Sequence, residues 1–385
     1  MNPKTYLSKK NFCVLPWTGM YIQPDGEVRN CAIVKDAIGN INSSGIHDIV
    51  LGKLNQEIKE EMLSDSFPKQ CSHCHNLEKM QPNSLSQVSN RVWYLKALRN
   101  TDLELFDDAK NFNLKQLDLR WRNTCNFACV YCGPDLSSAW ASEVNQPQHI
   151  NETALKNSIE YIYNNLSTVE HVYLAGGEPL LIKENLELLT RVLQIKPDIE
   201  LRINSNLSII NNNIYNLLKQ FKNVQWTISV DSVGAEFEYT RYGGNWNTFL
   251  DNLAQLSKDF EKINFNLVWF ILNASSILDC IDQLQRLGYH ENMFVVNPLN
   301  SPVEWHVCNL PDSELDIIRN KLEKKLRESD PAYSLYKSLK LMLNYINTPF
   351  DKNLDKTFDV LAELDNRRKL DSSKIFTNLY TLKGN

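Results

Sequence analysis

The nine cysteines of this 385-residue chain fall in groups rather than evenly along it. Three sit within the single segment Asn123-Thr124-Cys125-Asn126-Phe127-Ala128-Cys129-Val130-Tyr131-Cys132-Gly133-Pro134. Thiolates are the ordinary ligands of iron–sulfur clusters, and a cubane cluster offers four irons to them. Three thiolates leave one iron without a protein ligand, and an open coordination position is what separates a catalytic metal site from a closed structural one. Spacings of four and three also place cysteines on one helical face, where they would simply be buried. The polar Asn123, Thr124 and Asn126, with the Gly133-Pro134 break, favour a loop instead.

Cys13, Cys31, Cys71 and Cys74 make a second, complete set of four. Cys71-Ser72-His73-Cys74 is a Cys-x2-Cys knuckle. Cys31 follows, and Cys13 precedes, a hairpin signalled by Pro24-Asp25-Gly26 between two short apolar-alternating runs. Spacing alone allows structural zinc or a second 4Fe–4S cluster, since both accept four thiolates. Either would be closed, leaving electron transfer or architecture as its work. His73 and His75 read as exposed spacers. Cys280, with Leu278 and Ile281, reads as core, and Cys308, after Trp305 and His306, as a candidate for an active-site mouth.

The elements that must position these thiols alternate. Strands are predicted over 115–121, 170–174, 199–204, 224–230, 264–272 and 293–296. Helices are predicted between them over 152–166, 183–194, 214–221, 246–260 and 276–287. This is the pattern of βαβ units with a parallel sheet. Parallel strands buried on both faces should be continuously apolar. Here Leu117, Leu119 and Trp121 alternate with Asp118, Arg120 and Arg122, and the third and fourth strands alternate in the same way. One polar face points to a sheet curved around a wet interior; the alternative is an open doubly wound sheet with one exposed face. The first part of the chain, with a helix over 51–63, reads as a metal-stapled module. The end reads as helices over 314–328, 333–346 and 358–367. The expected division is 1–105 for the cysteine-rich module, 106–310 for the α/β core and 311–385 for a helical extension.

Three landmarks, in order and at strand ends, resemble the radical S-adenosylmethionine (SAM) superfamily. They are the Cys125-x3-Cys129-x-Tyr131-Cys132 loop after the first strand, Ala175-Gly176-Gly177-Glu178-Pro179 ending the second, and Ile228-Ser229-Val230-Asp231 ending the fourth. The resemblance covers residues 114–310. It implies a partial (β/α)6 barrel with its chemistry at the C-terminal strand ends. It also implies a 4Fe–4S cluster on Cys125, Cys129 and Cys132 whose open iron takes the SAM amino and carboxylate groups. Reductive cleavage would then yield a 5′-deoxyadenosyl radical that removes hydrogen from a substrate. Tyr131 would sit by the adenine, while Gly176, Gly177 and Glu178 would receive the methionine amino group. Ser229 and Asp231 would contact methionine or ribose. Asn204, Asn206 and Arg241 are further cofactor-binding candidates, Arg241 as a carboxylate partner or as a solvated helix-start charge. Residues 295–297 would lie at the adenine edge. The amino-terminal thiols, with Gly26 and Ile38-Gly39-Asn40-Ile41, resemble the SPASM and twitch extensions of that family, which hold auxiliary 4Fe–4S clusters. Those extensions usually follow the barrel, whereas this one precedes it.

Net charge of −5 and a pI near 5.9 weigh against nucleic acid as a partner. No apolar run approaches the length of a membrane span, and the polar start is unlike a secretory signal, so a cytoplasmic enzyme is expected. A one-electron reductant such as flavodoxin or ferredoxin is implied as partner. The leading expectation is modification of a peptide or protein side chain, although no leader-binding domain is recognisable. The alternatives are a dehydrogenation or rearrangement of a small molecule or nucleotide, and a zinc-stapled binding protein without catalysis. No catalytic acid or base can be picked from the sequence.

Overall fold

The computed structural model describes residues 11–383 apart from 35, 65, 73, 75–102, 147 and 149–150, so His73 and His75 lie outside the described residues. In chain order the strands are β1 (Gly19–Ile22), β2 (Glu27–Arg29), β3 (Gly39–Asn40), β4 (Gln116–Leu119), β5 (Ala128–Cys129), β6 (His171–Leu174), β7 (Glu200–Ser205), β8 (Val224–Ser229), β9 (Arg241–Tyr242), β10 (Ile263–Trp269) and β11 (Phe294–Pro298). The principal helices are α1 (Lys53–Leu63), α2 (Ser138–Glu143), α3 (Glu152–Asn165), α4 (Lys183–Ile195), α5 (Asn213–Leu218), α6 (Gly234–Thr240), α7 (Trp246–Asp259), α8 (Ile277–Arg286), α9 (Asp312–Glu328), α10 (Ser334–Ile346) and α11 (Leu354–Arg368). The expected α/β class, with parallel strands, a small cysteine-rich amino-terminal part and carboxy-terminal helices, is the one found.

The helices start where the chain supplies side-chain caps. The Asn151, Asn212, Asn245 and Asn353 carboxamides accept from Ala154 N, Tyr215 N, Thr248 N and Lys356 N at the heads of α3, α5, α7 and α11. Each satisfies one of the first-turn donors that have no partner within the helix.

The chain divides into two compact units. One takes in Met1–Cys125, Pro134–Asn204 and Asn211–Gln225; the other takes in Asn126–Gly133, Ser205–Ile210 and Trp226–Asn385. In the first unit, β6 pairs in parallel with both β4 and β7. The hairpin of β1 and β2 turns at Gly26, whose φ of 87° suits glycine. β1 also pairs in parallel with β4, Gly19 opposite Gln116 through Ile22 opposite Leu119. All four residues of β1 are buried, so it has no face to offer water and belongs inside a sheet. Phe12, Trp17 and Phe106 pack ring against ring beside it.

In the second unit β10 lies in parallel between β8 and β11. Buried and half-buried residues alternate along β7, β8 and β10, as the one-polar-face reading requires. Among the described residues no helix is long and apolar enough to cross a membrane.

Candidate functional site

In the first unit the amino-terminal thiols converge. Burial raises the Cys13 thiol well above its ordinary pKa, and proximity to Cys71, Cys31 and Cys74 raises it further. Cys71 is pushed up to about 12, by burial first and then by Cys31 and Cys74. Thiols that oppose one another's ionisation are neighbours, and a cation bound among them reverses that cost by taking the place of the protons. The four residues therefore fit a thiolate-bound centre. No three His, Cys, Asp or Glu side chains among the described residues close tightly enough on one point to hold a single metal ion. A cubane, which gives each thiolate its own iron, does not ask for that. None of the nine cysteines is in a disulfide.

The same unit holds the first end of the three-cysteine loop. Ser138 Oγ accepts from Cys125 N and donates to Cys125 O, both at 3.0 Å. The Asn123 carboxamide donates to Pro134 O at 2.8 Å, tying the loop's two ends together. The Gly-Gly-Glu-Pro segment docks on this base: Glu178 N donates to Thr124 O at 2.7 Å. Gly176 and Gly177 have φ of 73° and 50°, and a Cβ on Gly177 would stand 2.2 Å from Thr124 O. Only glycine allows that approach. Glu178 is fully buried and its Oε1 accepts from Leu180 N at 3.2 Å. Asn204 is half-buried on the polar face of β7.

A lateral row of polar side chains, to which sequence reasoning assigned no role, crosses that face. Register places Arg29 opposite Tyr21, Tyr21 opposite Asp118, Asp118 opposite Tyr173 and Tyr173 opposite Arg202. Arg120 pairs with Asp118 at 3.3 Å and lies 4.8 Å over the Tyr21 ring. Burial raises the pKa of Asp118, which Arg120 opposes, and pushes Tyr173 up to about 12. Asp118 and Arg29 also act on the thiol of Cys31, so the row borders the amino-terminal thiols. The alternation around Asp118, Arg120 and Arg202 was visible in the sequence. The register that joins these residues to Tyr21 was not, because it depends on the pairing of β1 with β4.

In the second unit the other end of the loop is built into a small ladder. Ala128 lies opposite Tyr242 and Cys129 opposite Arg241 in the antiparallel pair of β5 and β9. Val130 N donates to Thr240 O and Cys132 N to Cys129 O, each at 2.9 Å. Around it Tyr131, Asp231 and Arg241 come together. The Tyr131 hydroxyl donates to Asp231 Oδ2 at 2.5 Å, Arg241 Nε donates to the same oxygen at 2.9 Å, and an Arg241 terminal nitrogen donates to the Tyr131 oxygen at 3.0 Å. Val268 N donates to Asp231 Oδ1 at 2.7 Å. Both carboxylate oxygens of Asp231, which is fully buried, are thus engaged within the protein. Burial holds the Tyr131 phenol well above its usual range, against the pull of Arg241. Asp231, Tyr131 and Cys129 raise the already high pKa of Arg241 against its burial, so its charge is permanent and faces that thiol. Arg241 is a buried ion-pair partner rather than a solvated helix-start charge.

Asn273, which sequence reasoning missed, fixes the floor beneath Asp231. Its carboxamide donates to Asp231 O and Val268 O, each at 2.8 Å, and accepts from Phe270 N. The Phe270 ring meets Tyr131 edge-on at 5.2 Å. No motif announces it. Asn206 donates to Asn126 Oδ1 at 3.2 Å, and the Ser208 hydroxyl donates to the same atom at 3.1 Å. Ser229 is half-buried at the end of β8. On β11, Val295 is 40% exposed and Asn297 bonds Asn266 at 2.7 Å. Cys280 is core, as expected. Cys308 is buried, its thiol 3.8 Å from Tyr345 O.

Comparison with known proteins agrees with these motifs. The profile of the radical SAM superfamily matches residues 121–291, and that of the SPASM iron–sulfur cluster-binding domain matches residues 13–75. The second match implies an auxiliary iron–sulfur cluster in the amino-terminal region. Similar curated proteins include an uncharacterized protein of Methanocaldococcus jannaschii, 30% identical over 31% of this chain and 40% of its own length. GTP 3′,8-cyclases of Sulfurimonas denitrificans and Limosilactobacillus fermentum are 23% and 29% identical, over 44% and 47% of this chain and 54% of theirs. The chain thus spans about half the length of these relatives, or less. Among solved structures, SuiB of Streptococcus suis bound to S-adenosylmethionine is 15% identical over 70% of this chain and 60% of its own, with a TM-score of 0.40. The enzyme anSMEcpe with AdoMet and a Cp18Cys peptide is 14% identical over 56% and 60%, with a TM-score of 0.41. Likenesses this distant carry no argument of their own. The chain thus carries a radical SAM domain over residues 121–291 and, ahead of it, a SPASM iron–sulfur cluster-binding domain over residues 13–75.

Proposed function

We propose that this radical SAM enzyme abstracts hydrogen from a peptide or protein side chain. When bound, a 4Fe–4S cluster with one open iron supplies the one-electron reduction that splits SAM into methionine and a 5′-deoxyadenosyl radical. The electron comes from a donor of the flavodoxin or ferredoxin class. Cys125, Cys129 and Cys132 are assigned as the cluster's thiolates. Gly176, Gly177 and Glu178 are assigned to the methionine amino group, and Asn204, Asn206 and Ser229 to the rest of the cosubstrate. Tyr131 and Arg241 would present a phenol edge and a fixed positive charge beside Cys129. Asp231, whose oxygens accept from Tyr131, Arg241 and Val268 N, would also hold those two side chains in place.

The observation that carries the reading is the three-thiol loop. Around Cys125 the chain is held by Ser138 and Asn123, and around Cys129 by the ladder to Arg241, so each segment that carries a thiol is ordered locally. The amino-terminal iron–sulfur domain, an accessory that resembles those of peptide-modifying members, supports the peptide substrate. Cys13, Cys31, Cys71 and Cys74 are assigned as the auxiliary cluster's ligands. A second reading, action on a nucleotide or other small molecule, is favoured by the likeness to GTP 3′,8-cyclases.

Anaerobic reconstitution followed by reduction with SAM tests both readings. About eight irons per chain are expected, falling to about four when Cys125, Cys129 and Cys132 become alanine, since each cubane holds four; formation of 5′-deoxyadenosine should then cease. Deuterium carried into 5′-deoxyadenosine from a deuterated peptide pool supports the peptide reading, and transfer from deuterated GTP selects the second. Iron unchanged after loss of Cys71 and Cys74 would remove the auxiliary cluster.

A further inference from the structure

The carboxy-terminal extension reaches the cysteine loop through Arg368, the last residue of α11. Its guanidinium is buried and donates to Ala128 O at 2.8 Å. It also lies 4.4 Å over the ring of Tyr242, the residue that pairs with Ala128 in the β5–β9 ladder. One planar cation therefore holds both strands of the ladder at one rung: the carbonyl on one strand by a hydrogen bond, the ring on the other by stacking. The peptide it grips is the one whose nitrogen belongs to Cys129. A guanidinium offers a directional donor and a stacking plane together, which the point charge of a lysine ammonium does not.

The helix end bearing Arg368 is itself fixed. Asp365 accepts from Tyr239 OH at 2.9 Å and from Ser372 N at 2.9 Å, and Lys369 closes α11 in the left-handed conformation. A two-residue ladder with few hydrogen bonds of its own would open readily. A buried, charge-assisted hydrogen bond to its carbonyl is the kind of contact that prevents it.

We propose that Arg368 is a positioning residue for the cluster loop, clamping the Ala128–Cys129 peptide so that the Cys129 thiolate keeps its aim. This rests on the reading of Cys129 as a cluster ligand, but the clamp can be measured without any cluster. In the cluster-free chain, Arg368→Met should speed amide exchange at Val130 and Cys132 about ten- to a hundredfold, the worth of one hydrogen bond from a charged group. Exchange at Phe265 and Leu267 in β10 should stay unchanged. Tyr242→Leu should give a smaller increase, and the double variant little more than Arg368→Met alone. In the reconstituted protein, Arg368→Met should load normally but release half its iron to a chelator about tenfold faster, with Arg368→Lys in between. If Arg368→Met does not fold, Arg368→Lys reads the same two quantities. Unchanged exchange at Val130 in a folded variant overturns the clamp. Altered exchange with no iron bound by the loop in any variant upholds the clamp and removes the cluster reading instead.

Discussion

Asp231→Asn changes one charge and almost no volume, which makes it a sharp probe of the buried group around Tyr131. The Asp231 side chain is 0% exposed and that of Arg241 5%, so neither ion can turn to water when the other is lost. Charge centres about 4 Å apart at an effective dielectric near 20 attract by about 4 kcal/mol, and removing one partner of a buried pair costs about 3–5 kcal/mol. The amide adds an orientation conflict. Oδ2 accepts from both Tyr131 and Arg241 while Oδ1 accepts from Val268 N, so whichever position takes the nitrogen sets donor against donor. The expected loss is about 4 kcal/mol in urea unfolding of the cluster-free chain, followed by far-UV circular dichroism. Arg241→Gln should cost a similar amount, and the double variant about 2–3 kcal/mol less than the sum, since residues in one network couple by that order. A loss below about 1 kcal/mol, the worth of a solvent-exposed pair, or strict additivity of the two changes, would refute the reasoning.

Two further outcomes are expected. Gly177→Ala places a methyl 2.2 Å from Thr124 O at a φ of 50°, whereas nothing lies within 4 Å of a Cβ on Gly133. The first should lower the melting temperature and the iron content, and the second should leave stability within about 0.5 kcal/mol of the parent; equal effects would show that the approach to Thr124 is not what glycine serves. Lys59 is fully buried and donates to Asn111 O at 2.8 Å; burial lowers its pKa from 10.5 to about 8, with Asp108 opposing. Below pH 8 both folded and unfolded chains keep the proton. Between pH 8 and 10.5 only the unfolded chain holds it, so this residue's contribution to stability rises with pH. Urea midpoints of the parent relative to Lys59→Met should therefore improve from pH 7.5 to 9.5, and a flat difference would count against the buried amine.

The motifs were legible because their chemistry is local. Cys125, Cys129 and Cys132 sit on one short loop, and the Gly176-Gly177 pair declares a backbone that only glycine adopts. The strands were legible because Leu201 and Ile203, or Trp226 and Ile228, alternate with polar neighbours. What stayed hidden depends on pairing between distant segments. Nothing in Gly19–Ile22 says that its partner is Gln116–Leu119, so the hairpin read as part of a separate module and Tyr21 as unremarkable. Nor does an isolated Asn273 or Arg368 carry a pattern; each matters through a backbone carbonyl elsewhere in the chain. Asp231 was found by its motif, but its hydrogen bonds with Tyr131, Arg241 and Val268 N are a tertiary fact that no motif carries.

The parallel pairing of β1 with β4 also bears on how the polypeptide matures. The hairpin leaves the ribosome before the strand that completes one of its edges, which is made about a hundred residues later, and such distant pairings close slowly. In the interval Met20 and Ile22 lack their eventual neighbours, Leu117 and Leu119. Expression yield should therefore depend on chaperone supply more than on the intrinsic stability of the finished protein.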